Sequence, residues 1–212
     1  CAGSCGYPPN RVTDLVNQFY VVTGCEPAAE IMRRNGVDVR EAVEEGIDTD
    51  LFKPDNELRD SGRIIYTSAA GDDIWKGFHV LREALIGTDI EMRMLTGLSR
   101  ENVASHLKRA AIYVFPSIYE EIFGLSLCEA MSSGCAVIVS DVAGARAQKH
   151  NGMGLIVPPR NPLALRAAIE QLLNNPIAIK TMGEAARAHV EQDHSLEAIG
   201  RRWEAVCQKV LR

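Results

Sequence analysis

Between residues 60 and 160 the chain alternates short apolar, β-branched runs with longer stretches whose apolar residues recur at helical spacing. RIIYTS (63–68), EMRML (91–95), AIYVFPS (111–117), AVIVSD (136–141) and GLIVPP (154–159) read as buried strands. Each of the first four is followed by a helix-like segment, at 78–86, 100–109, 125–133 and 143–150. Alternation of this kind implies parallel strands joined by right-handed crossovers. The pattern therefore predicts an α/β, Rossmann-like doubly wound parallel sheet.

The C-terminal third is helical in pattern. NPLALRAAIEQLLNN sets Leu165, Ile169, Leu172 and Leu173 on one face, with Asn161 as N-cap and Pro162 in the first turn. Pro176 then reads as a break. A last helix over 195–211 carries Leu196, Ile199, Trp203, Val206 and Val210 along one stripe, starting at Ser195. The first 45 residues supply one strand, QFYVVTG (18–24), and one helix, PAAEIMRRNG (27–36), too little to bury a core of their own. GIDTDLFKPDNELRDSG (46–62) reads as a connector. The expected organisation is a remnant of a first domain at 1–45, an α/β domain at 46–195, and a tail helix at 196–212.

Composition is that of an ordinary globular protein: 212 residues, 46% hydrophobic and 24% charged. A net charge of −5 gives a nucleic-acid partner no electrostatic support. No apolar run approaches the roughly 18 residues that span a bilayer, and no signal peptide is visible. The six cysteines form no C-x-x-C pair, and Cys128 and Cys135 lie in apolar stretches, so free buried thiols in a reducing, cytoplasmic compartment are expected. The five histidines are scattered and suggest no metal cluster. The chain begins with Cys1, which reads as the cut end of a longer protein.

Candidate chemistry concentrates in EEIFGLSLCEAMSSG (120–134), which sets Glu121 and Glu129 in a largely apolar segment. The segment follows a predicted strand, where doubly wound sheets bind ligands. A helix starting near Gly124 would offer its free N–H groups and dipole to an anion such as a diphosphate. Eight residues of helix rotate the two acids by about 80°, so they address different parts of one elongated ligand and are not an acid–base pair. Carboxylates accept well from sugar or ribose hydroxyls. The same acids would also suit a solvated loop and an exposed helix surface. In GDDIWKGFHVL (71–81), Lys76 precedes a helix and Gly77 permits the turn, so this cation could meet the same anion or simply be solvated. DTD at 48–50 reads as turn chemistry, not a metal motif, and Arg160 as a surface residue.

Together, GIDTDLFKP, KGFHVLREAL, the run from RENVASHL through FPSIYEEIFGLSLCEAMSSG to SDVAG, and GMGLIVPPRNPLALRAAIEQLLNNP resemble the family-4 glycosyltransferases of the GT-B fold. The likeness is to their C-terminal, donor-binding domain and covers residues 46 to about 195. It implies a parent enzyme that moves a sugar from a nucleotide diphosphate to a glycan or lipid acceptor, with retention and without a metal or other cofactor. By this resemblance Glu121 is the catalytic-site acid facing the hydroxyls of the transferred sugar. Glu129 accepts from the nucleotide's ribose. The backbone of Gly124, Leu125 and Ser126 lies against the diphosphate, with Lys76 as its cation beside Gly77. The acceptor would bind an N-terminal domain, of which 1–45 resembles the end, and the tail helix would return toward it. Self-association through these orphaned surfaces is expected, as is a peripheral membrane location of the parent.

Three departures from the family pattern stand out. TSAAGDDIW lacks the usual Arg before the Lys, only two residues join EMRML to LSRENVASHL, and VAGARAQ lacks a Glu often found there. The second departure predicts a sheet one strand short and leaves the base-binding loop open. A non-catalytic nucleotide-binding or interaction domain, or a nucleotide-sugar epimerase, are the rival readings.

Overall fold

The computed structural model describes residues 9–55, 57, 59–67, 74–121, 123–142 and 152–211. Five parallel strands form its main sheet: β3 (Asp60–Thr67), β4 (Glu91–Leu95), β5 (Ala110–Phe115), β6 (Ala136–Ser140) and β7 (Gly154–Val157). Their order is β4-β3-β5-β6-β7. All five were expected from the apolar runs. The helix expected over 143–150 lies outside the described residues.

β5 and β6 are buried at every position, as central strands covered on both faces must be. Their side chains alternate between two cores. Tyr113, Phe115, Val137 and Val139 face one, with α4 (Arg100–Leu107) and α5 (Leu125–Ser132). Ile112, Val114, Ala136 and Ile138 face the other, with α3 (Phe78–Ala84) and α6 (Pro162–Leu173). The result is a three-layer α/β/α sandwich.

A helix absent from the sequence reading completes the first layer. α7 (Pro176–Asp193) begins at the proline expected to break the chain. Asn175 accepts from the Ala178 amide at 3.0 Å, and Pro176 occupies the first turn, where no N–H is needed. Ala186 and Val190 of α7 enter the same core as α5. Arg187 of α7 donates to the carbonyl of Ser132 at 2.6 Å, and Arg59 donates to that of Ser133 at 2.6 Å. Two guanidinium groups thus cap the C-terminal end of α5, where the helix dipole is negative.

The N-terminal part holds more structure than expected: α1 (Pro9–Val16), β1 (Val21–Thr23), α2 (Glu26–Arg34) and β2 (Val39–Ala42), with β1 and β2 paired in parallel. The final helix, α8 (Leu196–Val210), packs on this small sheet, joining Ile199 and Val206 to Val43, Tyr20 and Val22. Arg202 pairs with Glu44 at 2.7 Å, and Lys209 pairs with Glu41. The predicted stripe is divided: Leu196, Trp203 and Val210 remain exposed. At about 100° per residue Leu196 and Trp203 lie roughly 60° and 40° around the helix from Ile199, away from the buried Val206, while Val210 is the last residue of the helix. No helix among the described residues is long and apolar enough to cross a membrane.

Candidate functional site

The order β4-β3-β5-β6-β7 reverses direction at β3 and β5, so the crossover after β3 leaves toward one face and that after β5 toward the other. A crevice must open between them at the carboxyl ends of the strands. The segments that hold Lys76 and Glu121 are the ones that follow these two strands. A cavity of about 800 Å³ lies there, lined by Lys76, Glu121, Glu129 and the turn from Gly124 to Ser126.

Lys76 closes a short 3₁₀ turn (Ile74–Lys76), and Gly77 caps α3 with φ of 72°. A Cβ at Gly77 would lie 1.9 Å from the Pro116 carbonyl oxygen, so only glycine lets these two loops touch. Gly124 caps α5 with φ of 85°, and its carbonyl accepts from the Leu127 amide at 2.9 Å. The amides of Leu125 and Ser126, ahead of that bond, have no intrahelical acceptor, and both residues line the cavity. Ser126 accepts through Oγ from the Tyr113 hydroxyl at 3.0 Å, which ties this turn to β5.

Glu121 sits in the loop before α5 and Glu129 in its second turn, as expected from the motif. Lys76 Nζ lies 2.8 Å from Glu121 Oε1, and Ser117 Oγ lies 2.9 Å from the same oxygen. Glu129 is 9% exposed, a costly place for a carboxylate. Burial pushes its carboxyl up from the ordinary value, and Arg100 opposes the shift from 3.6 Å. The Arg100 guanidinium also stands 5.3 Å from the centre of the Phe52 ring.

The sequence assigns no role to Arg100, Ser117 and Glu45, nor to Thr96, Gly97 and Leu98, which also line the cavity. Thr96 and Gly97 are the shortened join after β4. Its only sequence signal was its brevity. Asp48 of DTD accepts through Oδ1 from the amides of Asp50 and Leu51, at 3.2 and 2.9 Å, and so shapes a turn. Among the described cysteines Cys25, Cys128 and Cys135 are buried free thiols, whereas Cys207 is exposed. Burial pushes the Cys135 thiol up to about 12, which makes it a poor nucleophile at neutral pH.

Known proteins share this fold. The family described as Glycosyl transferases group 1 matches residues 56–189. The MMP alpha-(1->4)-mannosyltransferase of Mycolicibacterium hassiacum is 28% identical over 198 residues, covering 78% of this chain and 47% of that protein. Sucrose-phosphate synthase from Thermosynechococcus elongatus superposes with a TM-score of 0.83 at 21% identity, over 96% of this chain and 61% of its own. HepE of Anabaena, solved in complex with UDP and glucose, does so with a TM-score of 0.83 at 16% identity, over 95% of this chain and 66% of its own. The chain spans less than half the length of the first curated relatives it matches. The family match runs from the end of the connector into α7 and takes in the whole five-stranded sheet and its cavity, so the chain belongs to the group 1 glycosyl transferases.

Proposed function

We propose that the cavity is the nucleotide-sugar site of an enzyme that transfers a glycosyl group with retention and without a metal ion. The observation that carries this reading is the convergence of Lys76, Glu121 and the N-terminus of α5 on one cavity at the switch point of the sheet. The diphosphate lies against the backbone of Gly124, Leu125 and Ser126, with Lys76 as counter-ion beside Gly77. Glu129 accepts from the ribose hydroxyls, and Glu121 from hydroxyls of the transferred sugar. UDP in the similarly folded HepE supports a nucleoside diphosphate as the common part of the ligand.

The chemistry follows from where charge develops. As the bond between the anomeric carbon and the phosphate oxygen breaks, negative charge builds on the leaving diphosphate. Lys76 and the positive end of α5 stand ready to stabilise it, which is the task a divalent ion performs elsewhere. The acceptor, a glycan or lipid, enters from the side of residues 1–45 and α8, and a further domain of the parent protein holds it.

Calorimetric titration with UDP, GDP and ADP, with their glucose or mannose conjugates, and with the uncharged nucleosides tests the proposal. A donor site binds one diphosphate far more tightly than its nucleoside and responds again to the sugar. Binding that ignores the sugar favours a non-catalytic nucleotide-binding domain. Equal binding of nucleoside and diphosphate removes the site from this cavity.

A further inference from the structure

Ser117 is 1% exposed, and its hydroxyl has three neighbours, two on its own loop and one on the loop before α3. Oγ lies 2.9 Å from Glu121 Oε1, 3.2 Å from the Trp75 carbonyl oxygen and 3.1 Å from that of Tyr119. With Glu121 ionised, all three neighbours only accept, and a hydroxyl has one proton to give. The Trp75 carbonyl already accepts from the Ile118 amide at 3.0 Å. The carboxylate is the strongest acceptor of the three, because the bond to it is charge-assisted. The proton therefore belongs to the bond with Glu121.

Lys76 Nζ donates to the same oxygen from 2.8 Å. Both donors meet on Oε1, which leaves Oε2 for a ligand hydroxyl. The two donors differ in one respect that matters. Lys76 ends a flexible four-carbon stem and is claimed by the diphosphate when donor binds. Ser117 is buried beside Pro116, in the segment that packs on Gly77, and has no such freedom.

We propose that Ser117 is the positioning residue for recognition of the transferred sugar. It holds Oε1 of Glu121 so that Oε2 accepts from a sugar hydroxyl, and it keeps that aim after the diphosphate has drawn Lys76 away. The inference rests on the donor-site reading above. Its consequence is selective: Ser117 contributes to binding of the sugar-bearing nucleotide and not to binding of the bare diphosphate, because it touches only the sugar end.

The test compares wild type, Ser117→Ala, Glu121→Ala and the double variant. Each is titrated calorimetrically with UDP and UDP-glucose, GDP and GDP-mannose, and ADP and ADP-glucose. For the pair that the wild type binds, the readout is the ratio of nucleotide-sugar affinity to bare-diphosphate affinity. Ser117→Ala is expected to bind the bare diphosphate within about twofold of wild type, which also reports an intact fold. Its sugar ratio falls roughly tenfold, the size expected for one charge-assisted hydrogen bond. Glu121→Ala lowers the ratio as well, and adding Ser117→Ala to it lowers the ratio no further, since the serine acts through the carboxylate that the first change removes. An unchanged ratio in Ser117→Ala, independent losses in the double variant, or equal losses for both ligands overturns the assignment while leaving the donor site standing. A wild type that binds none of the six, or does not distinguish sugar from bare diphosphate, overturns the donor-site reading and this inference with it.

Discussion

Lys76 and Glu121, 45 residues apart in sequence, meet at 2.8 Å across the mouth of the crevice and join the loop before α3 to the loop before α5. Both side chains are partly buried, so the pair is less screened than a surface bridge. The cation proposed for the diphosphate is thus engaged by the acid proposed for the sugar. Bare diphosphate must compete with Glu121 for it. Glu121→Gln is therefore expected to tighten binding of the nucleoside diphosphate by about three- to tenfold while lowering the added response to the sugar. Lys76→Ala should remove most of the advantage of diphosphate over nucleoside, and moderate salt should weaken wild-type binding. Calorimetry on the three proteins checks all of this, and an unaltered diphosphate affinity in Lys76→Ala would refute the phosphate role.

Glu129 gives a pH dependence whose sign follows from its burial. Its carboxyl is raised in the folded protein by burial, with Arg100 pulling the other way. A ribose acceptor must be ionised, so nucleotide affinity falls as pH drops through this raised value. Arg100→Ala should move the loss to higher pH. Stability runs in the opposite sense: the folded state holds this proton more tightly than the unfolded chain, so the group's contribution is fully present at acid pH and is lost as pH rises. At neutral pH the ionised acid is a burden on the fold. Glu129→Gln should raise unfolding stability by about 1 kcal/mol, while Glu129→Ala weakens nucleotide and nucleotide-sugar alike by about 1.5–3 kcal/mol. Chemical denaturation and calorimetry across pH 4 to 8 separate the two effects.

The two cap glycines are expected to fail in different ways. Gly77→Ala places a methyl group 1.9 Å from backbone oxygen in a left-handed conformation, and backbone cannot step aside cheaply. A loss of about 3 kcal/mol or more of stability is expected. At Gly124 the nearest atoms would stand at 3.6 Å, an ordinary contact, so Gly124→Ala carries mainly the left-handed penalty of about 1–2 kcal/mol. Its larger effect is on ligand, whose diphosphate can no longer approach the backbone, and Gly124→Val blocks it more fully. Urea unfolding beside diphosphate titration distinguishes the pair; equal stability losses would contradict it.

Leu196, Trp203 and Val210 leave an apolar edge on α8 beside the small sheet. This polypeptide is expected to form dimers or larger species at moderate concentration through that edge. Trp203→Glu should return it to monomer, as should removal of residues 1–40 together with 196–212. Sedimentation velocity over a range of concentrations decides, and a strict monomer throughout would contradict the expectation.

The parts of the fold written in unbroken apolar runs were legible before any coordinates. β5 and β6 are buried on both faces and have no polar alternation to confuse with a helix. What escaped was written in residues with two meanings. Pro176 ends a helix when read from its left and starts one when read from its right, and Asn175 was the disambiguating cap. β2, with its sequence VREA, is short and half polar, so only its parallel partner β1 identifies it. At the site, Lys76, Glu121, Gly124 and Glu129 were named from a linear motif. Ser117 and Arg100 were not, because each acts through the carboxylate of another residue. Such a role appears only when the two side chains are seen together.

One backbone pairing ties the start of the α/β unit to its end. The Ile47 amide donates to the His194 carbonyl at 2.8 Å, and the Leu196 amide donates to the Ile47 carbonyl at 3.1 Å. The chain enters and leaves the α/β unit side by side, at one stitched point. A unit with adjacent ends can be lifted out or grafted elsewhere without threading, and it can swing about that point without tearing a second connection. For exchanging this sheet and its cavity between related proteins, we propose residues 46 and 195 as the points to cut.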